Sequence, residues 1–191
     1  MRSTGSPPTG WRYEEEFLDN DLEESLISTV RGLKLEHAKY KEWTARRRMV
    51  SYGYGYDFGS NRLEAADPIP PFLLRPRELA ARWAELAPAD LVQASIAEYV
   101  PPAPLGWHRD VPAFEQVVGI SLLGSARMRF RPYPPQRGQR ADFVAELQPR
   151  SVYLLSGAAR WNWQHAISPT KELRYVLTFR SLRRARQLTP A

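Results

Sequence analysis

From residue 91 to residue 182 the chain is a succession of short β-prone segments, each closed by Gly, Pro or Ser before the next begins. They run LVQASIAEYV (91–100), QVVGISLL (116–123), ARMRFRP (126–132), DFVAEL (142–147), SVYLLS (151–156), WNWQHAI (161–167) and ELRYVLTFRSL (172–182). Strands recurring about every ten residues between turn residues argue for a jelly-roll or barrel. The first ninety residues read differently. FLDNDLEESLISTV (17–30) has apolar residues at helical spacing with Asp19 or Asp21 near its start, and RPRELAARWAELA (75–87) is amphipathic, with Leu79, Trp83 and Leu86 inward. LKLEHA (33–38) and RRRMVSYGYGYDF (46–58) are β-prone, the latter alternating Tyr52, Tyr54, Tyr56 and Phe58 on one face, and DPIPPFLLRP (67–76) is a stiff connector. The expected class is α+β: a double-stranded β-helix (jelly-roll) core with N-terminal helices.

At 191 residues the size prior is one structural domain, with a disordered tail at 1–10, helices and lid-like strands at 11–90, the jelly-roll core at 91–186 and a tail at 187–191. The absence of cysteine excludes disulfides and thiolate-held zinc or iron–sulfur sites. No apolar run approaches the roughly 20 residues of a membrane span, and MRSTGSPPTG lacks the apolar stretch of a secretory leader, so a cytoplasmic protein with no membrane partner is expected. Arg outnumbers Lys 23 to 4 in a chain of net charge +6. Arg forks grip phosphates and carboxylates and stack on flat rings, which suits a nucleic-acid ligand. Codon usage in a GC-rich genome gives the same bias. Nothing in the pattern sets an oligomeric state.

The chain has only three histidines, and two of them belong to a constellation. His108 and Asp110 stand two apart, so on an extended strand both project to one face. His165 lies 57 residues further on. Two His and one carboxylate on one face of a metal leave positions open on non-haem Fe(II) for a co-substrate and O2, and His108, Asp110 and His165 are the candidate metal and catalytic residues. Arg174 and Arg180, six apart, share a strand face with Thr178, while Tyr175, Leu177 and Phe179 face the other way. Two guanidinium groups aimed into a barrel need anions, and a dicarboxylate bound at the metal satisfies both. His37 lies apart from this set and is read as structural or exposed.

These residues, in this order, resemble the AlkB-type Fe(II)/2-oxoglutarate-dependent dioxygenases. The likeness rests on His108-x-Asp110, His165 and Arg174-x5-Arg180. EYVPPAPLGWHRD, VVGISLLGSARMRFRP and RSVYLLSGAARWNWQHAISP flank them, and RRRMVSYGYGYDF resembles the family's nucleotide lid, so the match spans roughly residues 43–182. The resemblance implies Fe(II), 2-oxoglutarate and O2 as cofactor and co-substrates. It assigns Arg174 and Tyr99 to the distal carboxylate of 2-oxoglutarate and Arg180 to the metal-chelating end. Trp161 and Trp163, alternating toward His165, are placed to wall the cavity. The implied reaction is oxidative demethylation of alkylated bases in nucleic acid, releasing succinate, CO2 and formaldehyde.

For the nucleic acid, taken as a single strand or a flipped base, the candidate contacts are Arg46, Arg47, Arg48, Tyr52, Tyr54 and Tyr56: rings to stack on a base and Arg to hold phosphates. Arg183, Arg184 and Arg186 extend that surface. Three positions depart from the family pattern. Ala97 and Val176 stand where Asn is common around 2-oxoglutarate, and Pro112 stands where the bacterial enzyme has an Asp that reads the damaged base. The alternatives are therefore an AlkB-like oxygenase acting on a protein or small molecule, and a cupin-like binding module without turnover.

Overall fold

The computed structural model describes residues 5–40, 43–57, 59–60 and 62–183. In chain order its elements are β1 (Trp11–Glu14), α1 (Asn20–Arg31), β2 (Glu36–Tyr40), β3 (Trp43–Tyr52), β4 (Tyr54–Asp57) and β5 (Arg62–Ala65). Then come α2 (Leu74–Trp83), β6 (Leu91–Tyr99), β7 (Leu105–His108), β8 (Phe114–Leu122), β9 (Ala126–Pro132), β10 (Phe143–Leu147) and β11 (Val152–Leu155). The chain closes with α3 (Gly157–Trp161), β12 (Trp163–Ile167) and β13 (Arg174–Leu182). Seven strands form a major sheet in the order β1-β11-β8-β13-β6-β3-β2, and four form a minor sheet in the order β10-β9-β12-β7. The helix-plus-jelly-roll architecture expected from the sequence is present.

Side-chain alternation divides the apolar residues into two cores. Tyr175, Leu177 and Phe179 of β13, Ala94 and Ile96 of β6, and Val118, Ile120 and Leu122 of β8 join Leu26, Ile27 and Val30 of α1 in a core under the helices. The intervening residues, Val176, Ala97, Tyr99, Val117, Tyr153 and Leu155, meet Met128, Phe130 and Phe143 of the minor sheet in a second core between the sheets. Strands buried on both faces read as continuous apolar runs, which is why the sequence announced strands without announcing their faces. α1 is capped by Asp19, whose carboxylate accepts from Leu22 N at 2.7 Å. Buried Glu23 ties the helix to the end of β8 by accepting from Leu123 N at 2.8 Å.

Several local expectations are corrected. The connector at 67–76 gives way to a 3-10 turn over Pro71–Leu73 and to α2 from Leu74, whose Pro76 sits in the first turn, where a missing N–H is harmless. β1 and α3 went unread: β1 is four residues long and α3 five. The tail expected over 1–10 does not hold for its last three residues. Pro8 is buried, Thr9 O accepts from Ala159 N at 2.8 Å, and Gly10 O accepts from Ser156 N at 3.0 Å, so backbone hydrogen bonds seat this stretch beside α3. The run of tyrosines does not form one face. Gly53, at φ +76°, breaks the strand. Tyr52 stays in the major sheet opposite Ala94, while Tyr54 and Tyr56 pair with Ala65 and Leu63 in the separate β4–β5 hairpin. Phe58, Arg184, Arg186 and the tail at 187–191 lie outside the described residues. Among the described residues no helix is long and apolar enough to cross a membrane.

Ile120 is fully buried at the centre of the helix-side core. Ile120→Ala should lower unfolding free energy by about 2–5 kcal/mol, read as a lower denaturant midpoint with unchanged slope.

Candidate active site

The register of the minor sheet places His108 of β7 directly opposite His165 of β12. The two rings lie with centroids 4.2 Å apart, and one ligand atom from each of His108, Asp110 and His165 falls within 4.8 Å of the others. Asp110 follows the end of β7, and its carboxylate is almost wholly buried, with Oδ2 3.4 Å from His165 Nε2. His108 Nδ1 lies 2.9 Å from Gly106 O, so that nitrogen carries the proton and Nε2 keeps its lone pair.

Asp110 is held by two arginines in different ways. Arg180 donates through Nε and Nη2 to Oδ1 at 3.2 and 3.0 Å, and its Nη1 donates to Gln93 Oε1 and Ser95 Oγ at 2.9 and 3.1 Å. Arg160, nearly inaccessible, donates to the carbonyls of Asp110, Val111 and Phe114 at 3.1, 2.6 and 2.9 Å, clamping the loop that carries the carboxylate. Oδ2 is buried and accepts no hydrogen bond. Burial opposes ionisation of Asp110, but the field of Arg180, His165, His108 and Arg160 prevails and holds its carboxyl well below the usual carboxylate range. Burial drives His165 down to about 3, helped by His108, and burial likewise lowers His108 against the pull of Asp110. One ionised carboxylate oxygen without a partner and two neutral imidazoles form the donor set a divalent metal takes, so this trio could hold one.

The two arginines of β13 part company here. Arg180 already has its anion in Asp110. Arg174 has none: it is 1 % exposed, donates Nη2 to Ser121 Oγ at 2.9 Å, lies over the Tyr99 ring at 5.4 Å, and leaves a buried Nε unpaired. The expectation of one dicarboxylate for both is therefore corrected to one for Arg174 alone. Ala97 and Val176 turn out to be register partners across β6 and β13, and both belong to the inter-sheet core.

The expected substrate contacts do not stay together. Met49 joins the inter-sheet core while Val50 and Tyr52 join the helix-side core, so alternation along β3 sends Arg48 away from the site, and the register against β2 shifts between Thr44 and Arg48. Arg47 is near enough to act on the charge of His108. Arg48 instead donates to Glu98 at 2.6 Å, on the helix side. Trp163 packs against the inter-sheet core, whereas Trp161 ends α3 with its Nε1 donating to Glu115 at 2.9 Å. Gln93 and Ser95 were missed, although continuing the alternation back from Tyr99 through Ala97 reaches them. Arg160 had no such signal.

The sequence matches the 2OG-Fe(II) oxygenase superfamily over residues 19–185. The chain belongs to that superfamily. The superfamily's description names Fe(II) and 2-oxoglutarate, and His108, Asp110 and His165 are placed to hold the metal. Among curated relatives it is 25% identical over 172 residues to tRNA (carboxymethyluridine(34)-5-O)-methyltransferase ALKBH8 of Mus musculus, covering 86% of this chain and 25% of that protein. It is 30% identical over 174 residues to the alkylated DNA repair protein ALKBH8 homolog of Arabidopsis thaliana, covering 80% of this chain and 49% of the relative. The chain thus spans half or less of the length of these two relatives. The structure of OsALKBH1 superposes with a TM-score of 0.69 at 18% identity, covering 94% of this chain and 100% of the other. A Pseudomonas putida prolyl-4-hydroxylase follows with 0.59 at 18%, covering 91% and 93%, and shares the fold.

Acid should unfold the metal-free protein through these histidines. A group whose folded pKa lies below its unfolded one stabilises the fold above the unfolded value and loses that contribution as pH falls. For His165 the window runs from its ordinary 6.5 down to about 3. Denaturant midpoints should fall across it, and less steeply in His165→Gln; identical profiles would contradict the assignment.

Proposed function

We propose that the enzyme oxidatively demethylates N-alkylated bases in nucleic acid, taking them from a single strand or as a flipped base. The observation that carries the reading is a band of guanidinium–aromatic pairs on the minor sheet that carries His108 and His165. Arg129 and Arg131 of β9 both lie over the Trp107 ring, at 5.1 and 4.4 Å, and Arg109 lies over Tyr133 at 3.7 Å. Arg131 donates to Gln164 Oε1 and Arg109 to the Trp161 carbonyl, both at 2.9 Å, so these acceptors are neutral. A guanidinium stacked on a ring and hydrogen-bonded to a neutral oxygen keeps its full charge and free N–H edges for a phosphate. Alternation from inward-facing Met128 and Phe130 puts Arg129 and Arg131 on the outer face of the minor sheet, so a strand held by this band would lie over the sheet that carries His108 and His165. The names of the mouse and Arabidopsis relatives, a tRNA enzyme and a DNA repair protein, support the same substrate class.

In this reading His108 Nε2, Asp110 Oδ2 and His165 Nε2 hold Fe(II). When bound, the metal couples decarboxylation of 2-oxoglutarate by O2 to hydroxylation of a C–H bond. Arg174 and Tyr99 bind the distal carboxylate of the co-substrate, and Arg180 fixes the orientation of Asp110. Phe130 and Met128 supply apolar wall that excludes water from the chamber. A hydroxylated N-methyl group releases formaldehyde and the free amine. Arg46, Arg47 and the β4–β5 hairpin with Tyr54 and Tyr56 remain candidates for contact with the nucleic acid; Arg48, paired with Glu98, and Tyr52, in the helix-side core, do not. Pro112 supports the second reading, a protein or small-molecule substrate, because it places no polar group where a base would be read.

Incubation with Fe(II), 2-oxoglutarate and methylated single-stranded oligonucleotides should yield succinate and formaldehyde in equal amounts, and His108→Ala should yield neither. Replacing Arg129 and Arg131 with Gln should weaken oligonucleotide binding and flatten its log–log salt dependence by about 1.4. Succinate without formaldehyde from any methylated oligonucleotide, with hydroxylation of a peptide instead, would favour the second reading.

A further inference from the structure

Tyr153 is a buried tyrosine with no role in the site described so far. It stands on β11 directly opposite Gly119 of β8, facing the space between the sheets. Its ring and hydroxyl occupy the place that a Cβ on residue 119 would take, so the glycine is what lets the side chain lie across the sheet. Gly119 in turn pairs with Thr178, and Ser121, two residues along, pairs with Val176 and receives the Arg174 hydrogen bond. The phenol therefore lies on the same side of the sheet as Arg174, whose guanidinium has no carboxylate partner among the described residues. Tyr153 shares the inter-sheet core with Tyr99 and with Val176, which lies on the Arg174 face of β13, and Arg174 opposes the upward shift that burial imposes on the phenol.

We propose that Tyr153 is a co-substrate-binding residue, its hydroxyl donating a hydrogen bond to the distal carboxylate of 2-oxoglutarate beside Arg174 and Tyr99. The assignment rests on the 2-oxoglutarate reading of Arg174. It also accounts for the apolar pair at Ala97 and Val176: these register partners offer the carboxylate no donor, and the opposite wall, through Tyr153 over Gly119 with Ser121 holding Arg174, supplies one instead. Burial pushes the phenol up to about 12, so it remains protonated and able to donate throughout the neutral range. Trp11, stacked on the ring at 5.6 Å, and Leu155 on the same strand face hold it in place.

The test is a choice between two ligands. Fe(II)-loaded protein is titrated calorimetrically without O2, first with 2-oxoglutarate and then with 2-oxobutyrate, which has the metal-chelating end but no distal carboxylate. Tyr153→Phe should weaken 2-oxoglutarate about tenfold or more, as expected for loss of a hydrogen bond to a charged group, and leave 2-oxobutyrate within about twofold. Equal weakening of both ligands, or of neither, would mean that Tyr153 only packs. Failure of the unsubstituted protein to prefer 2-oxoglutarate overturns the underlying reading, a distinct outcome. Should the variant not fold, a structure of the unsubstituted protein with Fe(II) and 2-oxoglutarate decides: Tyr153 Oη within about 3.2 Å of a distal carboxylate oxygen supports the role, and beyond that range refutes it.

Discussion

The site depends on how one buried carboxylate is shared. Asp110 gives Oδ1 to the Arg180 fork and leaves Oδ2 facing two neutral imidazoles without a hydrogen-bond donor. An ionised carboxylate in this setting is tolerated because Arg180 is itself fixed by Gln93 and Ser95, and because Arg160 pins the Asp110 backbone through three carbonyls. Each support comes from a different part of the chain: β6, β13 and α3 converge on a loop after β7. The donors left unsatisfied by this arrangement, Asp110 Oδ2 and one nitrogen of each imidazole, are those a divalent cation takes up.

Arg174 is the counterpart at the other end of the chamber. Its guanidinium is almost wholly buried, and its neighbours include three hydroxyl-bearing residues, Ser121, Tyr99 and Tyr153. The Ser121 hydroxyl accepts from one of its N–H groups without neutralising it. Burial accordingly lowers its pKa, as expected of a cation awaiting an anion. A dicarboxylate reaching from the metal to Arg174 removes both imbalances at once. The geometry thus separates two arginines that look equivalent in the sequence: Arg180 is paired with Asp110, and Arg174 is held by the Ser121 hydroxyl with its Nε unpaired.

Much of this was legible before any coordinates. The two-residue spacing of His108 and Asp110 and the six-residue spacing of Arg174 and Arg180 survive folding because strands preserve even spacings on one face. The order of the strands was legible too, through their turn residues. Side-chain direction on β3 was not: Arg48 and Tyr52 carry the chemistry of a nucleic-acid contact yet face the helices, and only the register with β6 reveals it. Arg160 escaped notice because its value lies in three backbone carbonyls, which no residue type encodes. Tyr153 escaped because its position depends on an absent side chain at Gly119, a long-range complementarity between β11 and β8. The anchored residues 8–10 were misread because composition reports flexibility in isolation and says nothing of the backbone partners waiting on α3.

The claim on which the rest turns is that Arg174 is held in the interior for the carboxylate of a bound co-substrate. Its most direct test is the affinity of the metal-loaded protein for 2-oxoglutarate with and without that guanidinium. Arg174→Leu should reduce 2-oxoglutarate affinity by about two orders of magnitude or more while metal affinity stays unchanged. Equal 2-oxoglutarate affinity in the two proteins would contradict the account.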